Sequence, residues 1–199
     1  MRPFLFFILL TFSSIAFAEK KLIVLGDSIT EGYGVAKDAA YPALLEKKLH
    51  EAGKKDWKVV NSGVSGSTTA SAVSRMKWLF KSKPDAVLLA LGANDGLRGL
   101  KIEDSQKNLA AAIEYAQKEK VRVILCGLYM PPNYGKAYTD QFKKMYESLA
   151  SKYKLVFIPF ILDKVGGNPK YNLADGIHPN EEGHKVIAET IFSTLKSAL

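Results

Sequence analysis

The sequence predicts an α/β fold in which a parallel β-sheet lies between two layers of helices. Short, almost wholly apolar runs alternate along the chain with longer segments whose apolar residues recur at helical spacing. Buried parallel strands have such continuous apolar sequences because helices cover both faces of the sheet. The sequence contains no internal repeat and no linker-like break, so we expect residues 19–199 to form one domain.

Apolar runs that stop at turn residues mark the predicted strands. The first run is Leu22–Leu25, and it ends abruptly at Gly26-Asp27-Ser28. The fourth predicted strand ends at Leu128, because the adjacent prolines Pro131 and Pro132 in the segment that follows remove ladder donors. The other predicted strands are residues 57–60, 85–91, 121–128 and 155–158. Five parallel strands favour a flavodoxin-like order.

The segments between these strands are predicted helices. Tyr41, Leu44, Leu45 and Leu49 recur at helical spacing, which predicts a helix that ends near Gly53. Three further helices are predicted before the last one. The first ends near residue 80, the second has apolar residues at 102, 109, 113 and 116, and the third spans 139–152. The last begins at the cap residue Asn180 and carries the apolar stripe Ile187, Ile191, Leu195 and Leu199.

The first eighteen residues have the pattern of a secretory signal peptide. A basic start at Arg2 is followed by the apolar segment Phe4–Leu10 and by the small-x-small site Ala16-Phe17-Ala18, with cleavage expected before Glu19. A membrane anchor is the alternative, but a spanning helix needs roughly 20 apolar residues. We therefore expect export, to the periplasm or beyond the cell.

Charge and cysteine content exclude several functions. The net charge is +8, but the lysines are scattered over predicted helix faces, which favours a solvated basic surface over nucleic-acid binding. Contact with an anionic membrane is expected to be peripheral at most. The lone Cys126 lies in an apolar run and is predicted to be buried in the core. We also expect a monomer.

Four polar loops follow the predicted strands and would meet at one edge of the sheet. They contain Ser28, Gly66, Asn94 and the pair Asp175 and His178. Acyl transfer by a serine needs a base, a carboxylate that orients the base, and donors for the oxyanion. His178 and Asp175 suit the first two roles. The N–H groups of Ser28 and Gly66 and the Asn94 amide suit the third.

This pattern resembles the GDSL, or SGNH, hydrolase family from residue 21 to the last helix. Its four blocks are Gly26-Asp27-Ser28, Gly66, Gly92-Ala93-Asn94-Asp95 and Asp175-Gly176-Ile177-His178-Pro179. Within the family, the segments at 94–99 and 132–135 are similar to those of bacterial thioesterase I, lysophospholipase and arylesterase enzymes. The resemblance implies Ser28 as nucleophile, Asp175 and His178 as its partners, and Gly66 and Asn94 in the oxyanion hole. Ser67 stands where many of these relatives have an acidic residue.

Each of these residues also has a plainer interpretation. Ser28 alone is more typical of a helix cap or a phosphate anchor, and Asn94 of a turn. His178 alone suits a structural residue before a proline. We expect His50 and His184 to lie at the surface, too far apart to bind a metal.

We expect neither a cofactor nor a metal. No G-x-G-x-x-G opens a helix after a strand, and residue 30 is not the last glycine of a G-x-S-x-G elbow. An aspartyl-phosphate mechanism at Asp27 would need a second aspartate two positions further on, where this chain has Ile29. Asp27 is therefore interpreted as a local hydrogen-bonding residue.

Two loops near the strand ends are candidates for substrate binding. Leu97, Met130, Pro132 and Tyr134 are predicted to wall an apolar groove for an acyl chain, although ordinary loop packing would explain them as well. The favoured function is a serine esterase that hydrolyses small-molecule acyl esters and thioesters, lysophospholipids among them. The alternatives are a carbohydrate acetylesterase on the same fold and a non-catalytic module that binds lipid or glycan.

Overall fold

A computed structural model describes residues 19–199, in which one parallel sheet forms the centre. The predicted signal peptide, residues 1–18, lies outside the described residues. The strand order is β2-β1-β3-β4-β5, with every neighbouring pair parallel. The strands are Lys20–Gly26 (β1), Trp57–Gly63 (β2), Ala86–Ala90 (β3), Arg122–Cys126 (β4) and Val156–Ile158 (β5). The predicted α/β class and flavodoxin-like order are confirmed.

Helices cover both faces of this sheet. They are Ser28–Glu31 (α1), Tyr41–Glu51 (α2), Ala72–Leu79 (α3), Ala93–Leu97 (α4), Ile102–Lys118 (α5), Lys136–Tyr153 (α6) and Glu181–Ala198 (α7). Helices α2 and α7 pack against each other, while α5 packs between α3 and α6. The short helices α1 and α4 begin directly after β1 and β3, and neither was predicted from the sequence.

The central strands β1 and β3 are the most completely buried strands of the sheet. Leu22–Leu25 and Val87–Leu89 are fully buried, because β1 and β3 have strands on both sides and helices on both faces. The register pairs Gly26 with both Gly63 and Ala90. The loops after β1, β2 and β3 therefore begin at the same level of the sheet and open onto one edge.

The prediction that His184 lies at the surface is wrong. Its side chain is fully buried on α7, where Nδ1 accepts a hydrogen bond of 3.2 Å from the Tyr41 N–H. Burial lowers the pKa of His184 to about 4, so the ring is neutral at physiological pH. His50 is half-buried, and its Nε2 lies 2.7 Å from the Trp57 carbonyl oxygen. Both histidines therefore contribute to packing between elements.

Cys126 is buried at the end of β4, as predicted, and burial raises the pKa of its thiol. Along residues 19–199, no helix is both long and apolar enough to span a membrane.

Candidate active site

Helix α1 places Ser28 at the edge of the sheet. Asp27 is the residue that caps this helix, because its Oδ1 accepts a hydrogen bond of 3.1 Å from the Ile29 N–H. Ser28 is therefore the first helical residue and not the cap. The helix turns back closely over β1: a Cβ on Gly26 would lie 1.8 Å from Thr30 Oγ1. The glycine of Gly-Asp-Ser thus allows the sharp turn that presents Ser28.

A closed loop before α7 carries Asp175 and His178. An antiparallel bridge between Asn172 and Pro179 closes its base, and the Leu173 N–H donates to the His178 carbonyl at 2.8 Å. The buried Asn172 amide anchors this base by donating to the Val165 carbonyl at 2.7 Å. Backbone hydrogen bonds therefore fix the conformation of the loop that carries Asp175 and His178.

The structure brings Ser28, His178 and Asp175 into one hydrogen-bonded chain. His178 Nε2 lies 2.9 Å from Ser28 Oγ, and His178 Nδ1 lies 2.7 Å from Asp175 Oδ2. The second carboxylate oxygen accepts hydrogen bonds of 3.0 Å from the N–H groups of His178 and Ile177. These two backbone bonds, followed by the imidazole contact, lower the pKa of Asp175 to about 2. Asp175 is thus ionised and positioned to hold the Nδ1 proton.

Two backbone N–H groups face the same edge without a protein acceptor. In the described part of the chain, the N–H groups of Ser28 and Gly66 donate to no protein atom, although the N–H groups of Ser65 and Ser67 both do. Gly66 has a φ of +76°, a left-handed conformation that glycine adopts without strain. Free N–H groups at such positions are what an oxyanion hole requires.

The Asn94 side chain supplies a third donor. Its Nδ2 donates one hydrogen bond of 3.1 Å to the Ser67 carbonyl and has a second hydrogen to offer. The neighbouring Asp95 is buried and accepts from the Thr69 N–H at 2.9 Å, from the Thr69 hydroxyl at 2.5 Å and from the Ser105 hydroxyl at 3.0 Å. Asp95 therefore fastens α4 to the chain that follows Gly66.

Asp27 has a second feature besides its role as a cap. The residue is buried, and its Oδ2 has no hydrogen-bond partner in the described structure. Burial raises the pKa of Asp27 to about 6, against smaller opposing effects that include the Ile29 N–H and the charges of His178 and Arg75. The Arg75 guanidinium donates to the Gly26 carbonyl at 2.9 Å and to the Ser62 carbonyl. The buried Asp27 carboxyl and the half-buried Arg75 guanidinium thus lie at the ends of β1 and β2.

An apolar groove of about 390 Å³ opens beside this site. Leu97, Met130 and Pro132 line it, together with Ile29 next to Ser28 and Ile177 next to His178. Tyr134 is not part of this lining, but its hydroxyl donates to the carbonyl of the lining residue Leu97 at 2.9 Å. A second groove of about 470 Å³ beside Trp78 contains none of the triad residues.

Sequence reasoning did not identify Tyr33, which covers the imidazole. The Tyr33 and His178 ring centroids lie 4.6 Å apart with an interplanar angle of 39°, and Tyr33 is 54% exposed. A tyrosine five residues after Ser28 gives no local signal of this contact, because the fold alone brings the two loops together. Among the described residues, no cluster of three or more histidine, cysteine, aspartate or glutamate side chains is arranged to bind a metal.

A hydroxyl, an imidazole and a carboxylate in one chain, beside free N–H donors, form the arrangement that serine hydrolases use. Residues 24–186 match the GDSL-like Lipase/Acylhydrolase family. Esterase TesA of Pseudomonas aeruginosa is 39% identical over 183 residues, which cover 92% of this chain and 90% of that protein. Thioesterase 1/protease 1/lysophospholipase L1 of Escherichia coli strain K12 is 35% identical over 195 residues, which cover 98% and 91%.

Solved structures agree with these sequence matches. The crystal structure of TesA superposes with a TM-score of 0.87 at 39% identity, covering 90% of this chain and 100% of that chain. The chain therefore belongs to the GDSL-like lipase/acylhydrolase family, and it is an esterase of that family.

Proposed function

We propose that this esterase is exported and hydrolyses acyl esters and thioesters through an acyl-enzyme intermediate on Ser28. The observation that carries the proposal is the unbroken hydrogen-bonded chain from Asp175 through His178 to Ser28 Oγ. The two relatives described above, esterase TesA and thioesterase 1/protease 1/lysophospholipase L1, support the same substrate class.

In the acylation step, Ser28 Oγ attacks the substrate carbonyl carbon while His178 Nε2 accepts the hydroxyl proton. The imidazole becomes positively charged, and the ionised Asp175 stabilises that charge through its 2.7 Å contact with Nδ1. The proton then passes from Nε2 to the leaving oxygen or sulfur as the bond to the carbonyl carbon breaks. In the deacylation step, water attacks the acyl carbonyl carbon while His178 Nε2 accepts its proton. That proton then passes to Ser28 Oγ as the bond to the acyl group breaks and the acid is released.

The negative charge of both tetrahedral intermediates requires donors that are already in place. The N–H groups of Ser28 and Gly66 and the free hydrogen of Asn94 Nδ2 provide three such donors from three strand ends. Removing one donor of this kind costs about 100- to 1,000-fold in kcat. We expect Asn94→Ala to cause a loss of that size with little change in unfolding temperature, and full turnover by this variant would refute the role of Asn94.

The apolar groove is the proposed site for the acyl chain. Its lining is aliphatic and aromatic, and it starts at the residues next to Ser28 and His178. Such a surface suits a chain of several methylenes better than an acetyl group, at about 0.8 kcal/mol for each buried methylene. We therefore favour fatty esters, thioesters and lysophospholipids over acetylated carbohydrate, with peripheral membrane contact at most.

The first experiment measures hydrolysis of p-nitrophenyl esters from acetate to palmitate. Ser28→Ala is compared with Ser74→Ala, a matched control on α3 whose hydroxyl donates only to the Ser71 carbonyl. We expect activity only in the wild type and the control, with chains longer than acetate preferred. Equal activity of Ser28→Ala would overturn the proposal, and cleavage of acetate alone would favour a carbohydrate acetylesterase.

The groove is tested by Met130→Ala, with Met145→Ala on α6 as the control. Both methionines are buried, but only Met130 lines the groove. We expect Met130→Ala to lower kcat/KM for long esters relative to acetate. The same chain-length profile in both variants would mean that the groove does not hold the acyl chain.

Export is tested by the N-terminal sequence of the protein recovered outside the cytoplasm. We expect that sequence to begin at Glu19, with residues 1–18 removed. An intact Met1 would contradict cleavage of a signal peptide.

A further inference from the structure

The three proposed oxyanion donors belong to three different segments of the chain. Ser28 lies on α1, Gly66 in the loop after β2, and Asn94 on α4. An oxyanion hole accelerates a reaction only when its donors hold their positions before charge develops. Residues that join these segments are therefore expected to affect turnover without touching the substrate.

Glu31 joins the first two segments. It lies on α1, three residues after Ser28, and its Oε2 accepts hydrogen bonds from the Ser65 N–H at 2.8 Å and from the Ser65 hydroxyl. These two bonds lower the pKa of Glu31, so its carboxylate is ionised at neutral pH. The Ser65 carbonyl and the Gly66 N–H belong to the same planar peptide group. By holding both the N–H and the hydroxyl of Ser65, the Glu31 carboxylate therefore restricts the direction of the Gly66 N–H.

Arg98 joins the second and third segments. It ends α4, and its Nη2 lies 3.1 Å from the Gly66 carbonyl oxygen and 3.5 Å from Asn94 Oδ1. The contact with Oδ1 leaves Asn94 Nδ2 as the side of the amide that can donate to a substrate. Arg98 therefore acts on the orientation of both Gly66 and Asn94.

Neither charge is engaged by an opposite charge. Within residues 19–199, Glu31 and Arg98 form no ion pair, and both side chains are exposed. Exposed charged contacts add little to stability. The hydrogen bonds of the two side chains all go to the loop at 65–66 or to Asn94, which is the pattern expected of residues that position a site.

We propose that Glu31 and Arg98 are positioning residues that tie the three oxyanion donors together, Glu31 linking α1 to the Gly66 loop and Arg98 linking that loop to Asn94. This inference rests on the proposed function, because it assumes that Ser28, Gly66 and Asn94 bind the oxyanion.

The test compares Glu31→Ala and Arg98→Gln with two matched controls. Glu46→Ala removes a carboxylate that also accepts from a backbone N–H of β2, at Val59, but lies away from the site. Arg122→Gln removes a guanidinium that also donates to a backbone carbonyl, that of Ala198. We expect kcat to fall about 10-fold in each positioning variant, with KM within about twofold, because misplaced donors weaken transition-state binding. The controls should keep wild-type kcat.

Two further readouts separate positioning from general damage. Inactivation by a serine-reactive phosphonate should slow by the same factor as kcat, and Arg98→Lys and Glu31→Gln should recover part of the loss. The cost of Arg98→Gln should also be smaller in an Asn94→Ala background, because Arg98 acts partly through Asn94.

Unchanged kcat in the positioning variants, an equal loss in the controls, or an undiminished cost of Arg98→Gln without Asn94 would each overturn this inference. If Ser28→Ala is inactive in the same assay while the positioning variants are normal, only this inference fails. If Ser28→Ala keeps wild-type activity, the proposed function itself fails.

Discussion

Two aspartates flank the candidate site, and their surroundings are opposite: Asp27 precedes Ser28 in the chain, and Asp175 contacts His178. The Asp175 side chain is 38% exposed, accepts three hydrogen bonds and has a pKa of about 2. Asp27 is 2% exposed, has one oxygen without a partner, and has a pKa of about 6. Membership of the same site therefore does not decide the charge of a carboxylate here. The number of donors and the access of water decide it.

Asp175 and Asp27 therefore suit different roles. Asp175 is ionised over the whole physiological range and faces the imidazole, so it suits the role of a permanent partner for a transient positive charge. Asp27 supports the turn that presents Ser28 and changes its charge near neutral pH. The next three predictions test this division.

The largest effect is expected from Asp175→Asn. An amide NH₂ facing Nδ1 favours the tautomer with the proton on Nε2, which cannot accept the Ser28 proton. We expect kcat to fall by on the order of 1,000-fold or more, while the unfolding temperature changes little because the site is exposed. A loss of less than tenfold, measured with a p-nitrophenyl ester, would contradict the role of Asp175 as the partner of the His178 imidazole.

A smaller effect, on stability, is expected from Asp27→Asn. The folded-state pKa of about 6 lies above the ordinary value of 3.8, so wild-type stability is highest below pH 4 with respect to this group. That stability is lost as the pH rises through 6, by on the order of 2 to 3 kcal/mol. Asparagine keeps the cap and cannot ionise.

Urea unfolding at pH 5 and pH 8 measures this effect. We expect Asp27→Asn to be the more stable protein at pH 8, with roughly half that difference at pH 5, because the loss in the wild type begins near pH 4. Asp38→Asn, at an exposed carboxylate on the following loop, is the control and should show no such change. A variant that is less stable than wild type at both pH values would contradict the burial argument.

The smallest effect is expected in the turnover of Asp27→Asn. Because asparagine still accepts from the Ile29 N–H, Ser28 keeps its position, and the loss is limited to the attraction between the Asp27 and His178 charges. We expect kcat at pH 8 to fall less than about 10-fold. A loss as large as that of Asp175→Asn would place Asp27 in the catalytic machinery and remove the distinction.

The fold was predictable because its signals are local and strong. The strand segment Leu22–Leu25 is wholly apolar and ends at turn residues, and it is fully buried in the structure. The short helices α1 and α4 were missed because four or five residues do not show a helical period. His184 was misplaced at the surface, although its spacing of three from Ile187 puts it on the buried stripe of α7.

The candidate site was predictable in part, for a different reason. Ser28, His178 and Asp175 stand in blocks with a recognisable order, and the fold brings their side chains together. The contacts of Tyr33, Glu31 and Arg98 were not predicted, because each joins residues that are distant in sequence. Arg98 lies in the segment 94–99 that resembles the family, but that resemblance does not show that its side chain reaches Gly66. The contact of Tyr134 with the Leu97 carbonyl was not predicted either, because the sequence of a loop does not show where a ring in it will point.

The most direct test of the account is the intact mass of the protein after reaction with a serine-reactive phosphonate. The central claim is that Ser28 Oγ, 2.9 Å from His178 Nε2, is the nucleophile. We predict one covalent adduct on wild-type protein, located to the peptide that contains Ser28, together with loss of esterase activity. The Ser28→Ala protein should remain unmodified. An adduct of the same size on that variant, or on a different serine of the wild type, would contradict the claim.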